Sequence, residues 1–268
     1  MDILNELPDA RFREIDDLLA FISIYDDEER TAAFARLIQE HAGAIRGAVC
    51  VEAGCGLGVF SEMLARLGAR KVYAVEHNPL LAELARQRLS ELPNVQVVET
   101  DVLDFRPPEP VDILVHEFYG QLLFDEDLWV LDRLQFEPGM VLPDGGELRF
   151  GLRFVEDYSD DVVTPEVVKK LDGALVSGLF EERGDELTGT AAEWKFGEGL
   201  RFREVDLAGK PGDLLVFGLR VTHRGQTVCE AGRCSNWSYV WTPRTGDRFE
   251  LRFLPAEAGR SVEFAWLS

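Results

Sequence analysis

The first half of the chain alternates short apolar runs with amphipathic stretches. The apolar runs are typical of buried parallel strands and lie at 48–53, 71–75, 95–98 and 111–115. Helical spacing predicts helices at about 58–67 and 79–91, the second opening with Asn78 as its cap and Pro79 in its first turn. Alternation of this kind predicts an α/β fold of βαβ units, with a doubly wound parallel sheet that binds ligands at its carboxyl edge.

Two amphipathic helices are predicted ahead of this sheet. Between 9 and 22, five apolar residues recur at helical spacing on one face: Phe12, Ile15, Leu18, Leu19 and Ile22. A second helix is expected from about 27 to about 41, because its first turn is acidic and the helix dipole favours acids there.

The pattern changes near 143, where glycine, proline and aspartate turns begin to separate short strands. Strand patterns occupy 147–155, 214–222 and 249–253, and a helical stretch at about 165–180 interrupts them. We therefore expect two domains, 1–143 with the N-terminal helices and the parallel sheet, and 144–268, mostly β with a helical insertion.

Composition bounds the function. With 28 basic and 49 acidic residues the net charge is −21, which argues against nucleic-acid binding and favours cationic partners, although acidity that only supports solubility remains the simpler alternative. No apolar run reaches about 18 residues and the N-terminus lacks signal-peptide features, so we expect no membrane span and a cytoplasmic location. Four cysteines show no metal-ligand spacing, so we expect reduced thiols and no metal site.

A glycine-rich turn follows the first predicted strand. Gly54, Gly56 and Gly58 alternate there, so the backbone can turn sharply and approach a ligand ahead of a helix N-terminus. Glu76 ends the second strand, where an acid accepts hydrogen bonds from ribose hydroxyls, and Asp101 ends the third, near the expected adenine. The spacing differs from the G-x-G-x-x-G of nicotinamide cofactors.

Two carboxylates flank the end of the fourth predicted strand. The apolar run after Asp112 ends at Glu117, and Glu126 follows nine residues later. If the backbone doubles back at Gly120, both carboxylates point into one cleft at the carboxyl edge of the sheet. Such a pair suits a flat cation, whereas two ordinary loop acids on an acidic surface are the alternative.

Together these patterns resemble class I S-adenosylmethionine-dependent methyltransferases, and the two glutamates resemble the double-glutamate loop of the protein arginine methyltransferases. The stretch Asp27-Glu-Glu-Arg30-Thr31 resembles the helix from which that family supplies an arginine to the methionine carboxylate of the cofactor. Ser235-Asn236-Trp237 lies where the family has a Thr-His-Trp loop in a C-terminal β-barrel. The resemblance covers about residue 27 to the C-terminus and is strongest over 27–143.

The resemblance implies S-adenosyl-L-methionine as methyl donor and S-adenosyl-L-homocysteine as product. The residues implied to bind the cofactor are Arg30, Glu52, Gly54, Cys55, Gly56, Gly58, Glu76, His77, Asp101 and Val102. Glu117 and Glu126 are the implied catalytic residues, and the implied substrate contacts are Tyr119, Asn236 and Trp237. It also implies that the second domain is barrel-like and that a helical arm at about 160–185 forms a homodimer.

The chain departs from the family on the acceptor side. Asn236 replaces the loop histidine, the family's tyrosine pair falls near Arg11 and Ile15, and its two methionines become Ile24 and Leu128. We therefore expect methyl transfer to a guanidino nitrogen of arginine, either in a protein or peptide or as free arginine or a related guanidino compound. The alternatives are another small nitrogen or oxygen acceptor, and a non-catalytic interaction module that retains the cofactor pocket.

Several of these residues also have structural interpretations. Arg30 could pair with Glu28 or Glu29, Trp237 could be a core aromatic residue, and Asp101 could cap the end of its strand. His116 lies beside Glu117 but is not assigned as a general base, because a histidine at a buried strand end is more often packed or bonded to backbone.

Overall fold

The computed structural model describes residues 8–178, 187–254 and 261–267. The chain divides into two compact units: unit 1 contains Met1–Glu117 and Arg133–Pro143, and unit 2 contains Phe118–Asp132 and Asp144–Ser268. The predicted division at 143 stays a prediction. The units differ from it by grouping 118–132 with the second half of the chain.

Unit 1 is built on a five-stranded parallel sheet in the order β3-β2-β1-β4-β5. Its strands are β1 Val49–Ala53, β2 Lys71–Glu76, β3 Val95–Glu99, β4 Ile113–His116 and β5 Met140–Leu142. Every residue of β1 and β4 is buried, as expected for central strands of a parallel sheet covered on both faces. The strand order reverses between these two strands, which is where open α/β sheets bind ligands. The predicted parallel sheet is confirmed.

Five helices belong to unit 1: α1 Asp9–Asp26, α2 Glu28–Glu40, α3 Ala42–Ile45, α4 Val59–Arg66 and α5 Pro79–Leu89. The start of α2 is set by Asp27, whose carboxylate accepts a hydrogen bond from the Arg30 amide at 3.0 Å. The Asn78 side chain caps α5 in the same way, accepting from the Leu80 amide at 3.0 Å, with Pro79 in the first turn.

The predicted apolar face of α1 is wrong in part. Phe12, Leu19 and Ile22 are exposed, Leu19 by 56%. The helix continues unbroken to Asp26, so the residues of its last turns, Phe21 and Tyr25, are the ones that approach Gly56 of the glycine-rich turn. The inward-facing residues of α1 near its C-terminal end are thus Phe21 and Tyr25.

Unit 2 is mostly antiparallel β, which confirms the predicted class of the second half. Seven strands form one sheet: β6 Gly145–Arg153, β7 Val176–Ser177, β8 Gly189–Lys195, β9 Gly199–Phe202, β10 Leu214–His223, β11 Gln226–Glu230 and β12 Val240–Pro243. A second sheet pairs β13 Arg248–Leu254 with β14 Ser261–Leu267. The predicted strands at 147–155, 214–222 and 249–253 correspond to β6, β10 and β13.

The predicted helix at 165–180 is much shorter than expected. Within the described part of this range, 165–178, only α6, Pro165–Lys169, is helical, and the chain then turns at Gly173, whose φ of 77° favours glycine. Beyond this turn β7 pairs with Val240 and Trp241 of β12, so long-range strand pairing replaces the predicted helix. Residues 179–185 of the predicted arm lie outside the described residues.

The cysteines differ from the expected reduced thiols. Cys229 and Cys234 form a disulfide with their Cα atoms 6.9 Å apart, because the chain folds back after β11 through a bridge between Ala231 and Cys234. Cys50 and Cys55 are buried free thiols. Among the helices that the structure describes, none has the length and apolarity needed to cross a membrane.

Candidate active site

The glycine-rich turn after β1 has a backbone that favours glycine at three positions. Gly54, Gly56 and Gly58 have φ angles of 67°, 51° and 76°, all in the left-handed region. A Cβ atom on Gly58 would lie 2.7 Å from Cδ1 of Leu89, so the turn also packs too closely against α5 for a larger residue. A glycine turn of this kind, ahead of a helix N-terminus, is suited to a ligand that contacts backbone.

Glu76, at the end of β2, links the glycine-rich turn to the turn that precedes α5. Its Oε2 accepts a hydrogen bond from the Gly56 amide at 2.9 Å, and its Oε1 accepts from the Asn78 amide at 2.8 Å. The carboxylate is buried, whereas the neighbouring His77 is exposed, with Nδ1 3.5 Å from Oε1 of Glu76. A buried acid at the carboxyl edge of the sheet, beside the glycine-rich turn, is the arrangement expected for ribose recognition.

Asp101 and Val102 lie after β3. The Asp101 carboxylate accepts a hydrogen bond from the Leu103 amide at 2.8 Å, and its carbonyl accepts from the Phe105 amide at 3.1 Å. Asp101 therefore caps its own turn, which is the structural alternative raised above, while the adenine contact stays a prediction. Val102 is 8% exposed and offers an apolar surface beside it.

Glu52 and Cys55 are buried close to the glycine-rich turn. Ser61 donates a hydrogen bond from its hydroxyl to the Glu52 carboxylate. Burial raises the pKa of Glu52 to about 8, and the nearby carboxylates of Glu117 and Glu76 add to the rise. Burial likewise raises the pKa of the Cys55 thiol, so we expect both groups to be mostly protonated near neutral pH.

Arg30 and Glu117 form an ion pair at the end of β4. Nε of Arg30 donates to Oε1 of Glu117 at 2.5 Å, and both side chains are mostly buried. Burial raises the pKa of Glu117, while the charge and hydrogen bond of Arg30 lower it, with a net rise. The pair joins the first turn of α2 to the strand end 87 residues later. Glu117 is therefore a carboxylate that a second cation would stabilise in its ionised form.

His116, directly before Glu117, is buried and hydrogen-bonded to backbone. Its Nε2 lies 2.9 Å from the Pro143 carbonyl, and burial lowers the pKa of the imidazole to about 4. The ring is thus neutral at physiological pH and donates its Nε2 proton to backbone. This contact is the structural role expected from its place at a buried strand end.

The predicted turn between the two glutamates is present in unit 2. Gly120 and Leu123 form an isolated antiparallel bridge, closed by a hydrogen bond from the Leu123 amide to the Gly120 carbonyl at 2.9 Å. Asp125 supports the turn by accepting from the Leu122 amide at 2.9 Å, and a Cβ atom on Gly120 would collide with that carboxylate. Glu126 follows and is exposed.

The predicted substrate contacts of unit 2 include a buried aromatic cluster. The Tyr119 hydroxyl donates to the Gly145 carbonyl at 2.9 Å, and the ring meets Trp194 and Trp237 edge to face at 6.3 and 6.5 Å. Trp237 is 2% exposed, which favours a packing role, while Asn236 beside it is half-buried. Contact of these residues with a substrate stays a prediction.

Within residues 8–178, 187–254 and 261–267, no group of three or more histidine, cysteine, aspartate or glutamate side chains is arranged to hold a metal ion.

Known methyltransferases are similar to this chain in sequence. Residues 50–132 match the model of a methyltransferase domain. A probable histone-arginine methyltransferase 1.3 of Arabidopsis thaliana is 30% identical over 157 residues, which are 55% of this chain and 28% of that protein. The chain is thus similar in sequence to a methyltransferase domain and to an arginine methyltransferase. Its matched part spans less than a third of this relative's length.

Solved structures share the fold of this chain. Arabidopsis thaliana protein arginine methyltransferase 10 matches with a TM-score of 0.67 at 16% identity, covering 92% of this chain and 91% of that one. The Trypanosoma brucei PRMT1 enzyme–prozyme heterotetrameric complex with AdoHcy matches with a TM-score of 0.63 at 16% identity, covering 91% of each chain. At this identity the likeness is one of fold, a parallel Rossmann-like sheet followed by an antiparallel β barrel-like domain.

Phe21 and Tyr25 are site residues that the sequence analysis missed. A Cβ atom built on Gly56 would lie 2.9 Å from the Phe21 ring and 3.1 Å from the Tyr25 hydroxyl oxygen. The Leu57 amide bonds the Tyr25 phenol, whose pKa is raised mainly by burial. The resemblance places the family's tyrosine pair near Arg11 and Ile15. The aromatic residues that approach the glycine-rich turn are instead Phe21 and Tyr25, four residues apart in the last turns of α1.

The structure thus assembles part of the predicted site in each unit. In unit 1 the glycine-rich turn, Glu76 and the pair Arg30–Glu117 lie at one edge of the sheet, with Tyr25 beside them. Glu126 and the predicted substrate contacts belong to unit 2. The convergence of Glu117 and Glu126 on one ligand stays a prediction.

Proposed function

We propose that this protein transfers a methyl group from S-adenosyl-L-methionine to a guanidino nitrogen of arginine. The observation that carries the proposal is the buried pair Arg30–Glu117 at the carboxyl end of β4. A carboxylate in this position, with a pKa raised by burial, favours a cation beside it. The acceptor is an arginine of a protein or peptide, free arginine, or a related guanidino compound.

The residues of unit 1 fit the cofactor. The glycines allow the left-handed backbone of the turn after β1, and the buried Glu76 carboxylate lies where ribose hydroxyls would be bound. Arg30 would bind the methionine carboxylate, and His77 and Val102 would lie along the adenine. S-adenosylmethionine supplies an electrophilic methyl group on a sulfonium. The AdoHcy named with the Trypanosoma brucei relative agrees with this choice.

Glu117 would bind the substrate guanidinium through a charge-assisted hydrogen bond. Arg30 holds Oε1 in a fixed position, and we assign Oε2 to the substrate. An incoming guanidinium would lower the pKa of Glu117, so that binding of substrate and ionisation of the carboxylate reinforce one another. Guanidinium is planar and permanently charged at neutral pH, which matches a carboxylate whose plane is already set.

Glu126 would contact the same guanidinium and complete the clamp. Two carboxylates draw positive charge toward the nitrogens that they touch and leave the target nitrogen richer in electrons. That nitrogen forms the new bond to the methyl carbon as the bond from methyl to sulfur breaks, and Glu117 or Glu126 accepts the proton that the nitrogen loses. Positioning and electrostatics supply most of the rate in such a mechanism.

We also propose a homodimer that uses the insertion around α6. Val162 and Val167 are 81% and 51% exposed there, although they are apolar. Such side chains are candidates for burial against a second copy. Sedimentation at micromolar protein concentration would test this, and a monomer would remove the proposal.

Product analysis tests the proposed reaction. We would incubate the protein with S-adenosylmethionine and, separately, an arginine peptide, free arginine and the same peptide with lysine replacing arginine. We expect methylated arginine from at least one of the first two and none from the lysine peptide. Methylation of lysine, or of another nitrogen or oxygen acceptor alone, would overturn the guanidino assignment. Binding of S-adenosylhomocysteine without turnover of any acceptor would favour a non-catalytic module.

A further inference from the structure

A cavity of about 210 Å³ lies in unit 2, and neither Glu117 nor Glu126 is among its lining residues. Its polar lining is Arg149 of β6, Arg220 of β10, Glu230 of β11 and Arg233 in the loop that follows. None of the predicted site residues is among its lining residues within the described chain. The proposed reaction therefore leaves this cavity without a role.

The cavity gathers positive charge in a chain whose net charge is −21. Nη1 of Arg149 donates to Glu147 at 3.1 Å, and Nε of Arg220 donates to Glu230 at 3.0 Å. Arg233 is 76% exposed, and its Nε lies 3.7 Å from the Glu230 carboxylate, beyond hydrogen-bond distance. Three guanidinium groups thus share two carboxylates, and each guanidinium offers five N–H donors.

Arg149 is held in place by hydrogen bonds to its neighbours in unit 2. Nη1 of Arg149 donates to Thr190 at 2.8 Å and its Nη2 donates to the Leu187 carbonyl at 2.9 Å, so this guanidinium cannot swing away. Its Nε is buried and has no hydrogen-bond partner among the described residues. In the pairing of β6 with β10, Gly218 lies opposite Arg149, and the side chains of Leu187 and Tyr239 pack against this glycine. A charged site on paired strands needs little reorganisation when it binds a ligand.

We propose that this cavity binds a small molecule bearing an oxyanion, either a phosphate ester or a short dicarboxylate. Arg220 and Arg233 would bind the anion through charge-assisted hydrogen bonds, and Arg149 would supply a fixed positive charge behind them. Leu187 and Tyr239 give the cavity an apolar wall for the body of the ligand. The volume is below the roughly 300–1,000 Å³ typical of drug-sized ligands, which excludes a peptide.

Binding of simple anions tests this site. We would titrate the full-length protein with inorganic phosphate and with succinate at constant ionic strength, using calorimetry, and expect saturable one-to-one binding of at least one of them below about 10 mM. Phosphate binding alone would identify the ligand as a phosphate ester, and succinate binding alone as a dicarboxylate. The strongly negative chain repels anions elsewhere, so non-specific binding is small.

Variants locate the binding. Arg233→Gln alters an exposed side chain, so the fold is retained, and we expect affinity to fall about tenfold; Arg220→Gln with Arg233→Gln should abolish binding. The matched control is Arg252→Gln, an exposed arginine of β13 that pairs with Glu250, and it should bind as the wild type does. No saturable binding of either anion, or equal affinity in Arg233→Gln and the control, would mean that the arginines only neutralise Glu147 and Glu230. Either result would overturn the proposal.

Discussion

Glu117 and Glu126 are placed by different means, although one short stretch of sequence carries both. Glu117 ends a fully buried strand of unit 1, and its charge is set by burial and by the ion pair with Arg30. Glu126 follows the turn of unit 2 that Gly120 and Asp125 stabilise, and it is exposed. The two carboxylates are therefore unequal before any substrate binds.

The difference predicts unequal roles. A mostly buried carboxylate interacts strongly with a cation because little water screens it, whereas an exposed one interacts weakly until the substrate covers it. Glu117 should thus contribute more to the reaction than Glu126.

Replacement of Glu117 should have the largest effect. Glu117→Gln removes a charge that Arg30 and the proposed substrate both use, so we expect methyl transfer to fall about a thousandfold, with the fold retained by circular dichroism. A labelled methyl donor and an arginine peptide measure the rate. Full retention of transfer would contradict the assignment of Glu117 as part of the clamp.

Replacement of Glu126 should have a smaller effect. For Glu126→Gln we expect a loss of about tenfold to a hundredfold in kcat/KM, because water screens this carboxylate in the free protein. Glu83→Gln, which alters an exposed acid paired with Arg86 on α5, is the matched control and should be unchanged. A loss in Glu126→Gln as large as that in Glu117→Gln would contradict the prediction that Glu117 contributes more to the reaction than Glu126.

Gly56 tests whether contact with α1, as well as the left-handed backbone angle, prevents a larger residue in the glycine-rich turn. Gly56→Ala forces a Cβ atom against Phe21 and Tyr25, whereas Gly47→Ala has a similarly left-handed φ of 79° and nothing within 4 Å. We expect the free energy of unfolding in urea to fall by about 2–3 kcal/mol in Gly56→Ala and by about 1 kcal/mol in Gly47→Ala. Binding of S-adenosylhomocysteine should weaken only in the first, and equal losses would show that the α1 contact has no effect.

Glu52 should make stability depend on pH. Its folded pKa, about 8, exceeds the ordinary value of 4.5, so between these values the native state holds a proton that the unfolded chain has lost. The contribution of this group to the free energy of unfolding therefore falls as pH rises, by up to about 1.4 kcal/mol per pH unit. Glu52→Gln retains an acceptor for Ser61 and should flatten this dependence in urea unfolding, measured without cofactor.

The matched control for Glu52 is Glu62→Gln on α4. Arg66 lowers the pKa of this surface carboxyl, so its contribution has the opposite sign and lies at lower pH. An unchanged slope between about pH 5 and 8 in Glu52→Gln would mean that Glu52 is ionised throughout that range.

Sequence patterns predict those parts of the fold whose buried residues lie close together along the chain. The central strands β1 and β4 are covered on both faces, so each appears as an unbroken apolar run. The starts of α2 and α5 were also predicted, since Asp27 and Asn78 act on amides two or three residues away. The length of the helix at 165 was not, because β7 forms there by pairing with Val240 and Trp241, far along the chain.

The candidate site divides in the same way. The glycine-rich turn and Glu76 have recognisable spacing, because one strand–turn–helix unit places each of them. The pairing of Arg30 with Glu117 joins residues 87 apart, and the approach of Phe21 and Tyr25 to Gly56 depends on how far α1 continues. Neither contact has a local signal in the sequence.

The central claim is that Glu117 and Glu126 hold the same guanidinium, and a double-mutant cycle tests it most directly. Calorimetry would give the affinity of an arginine peptide, with S-adenosylhomocysteine present, for the wild type, Glu117→Gln, Glu126→Gln and the double variant. We predict a coupling energy of about 1 kcal/mol or more, because both carboxylates contact one group. Losses that add to within about 0.3–0.5 kcal/mol would show that the glutamates act independently, and would contradict the clamp.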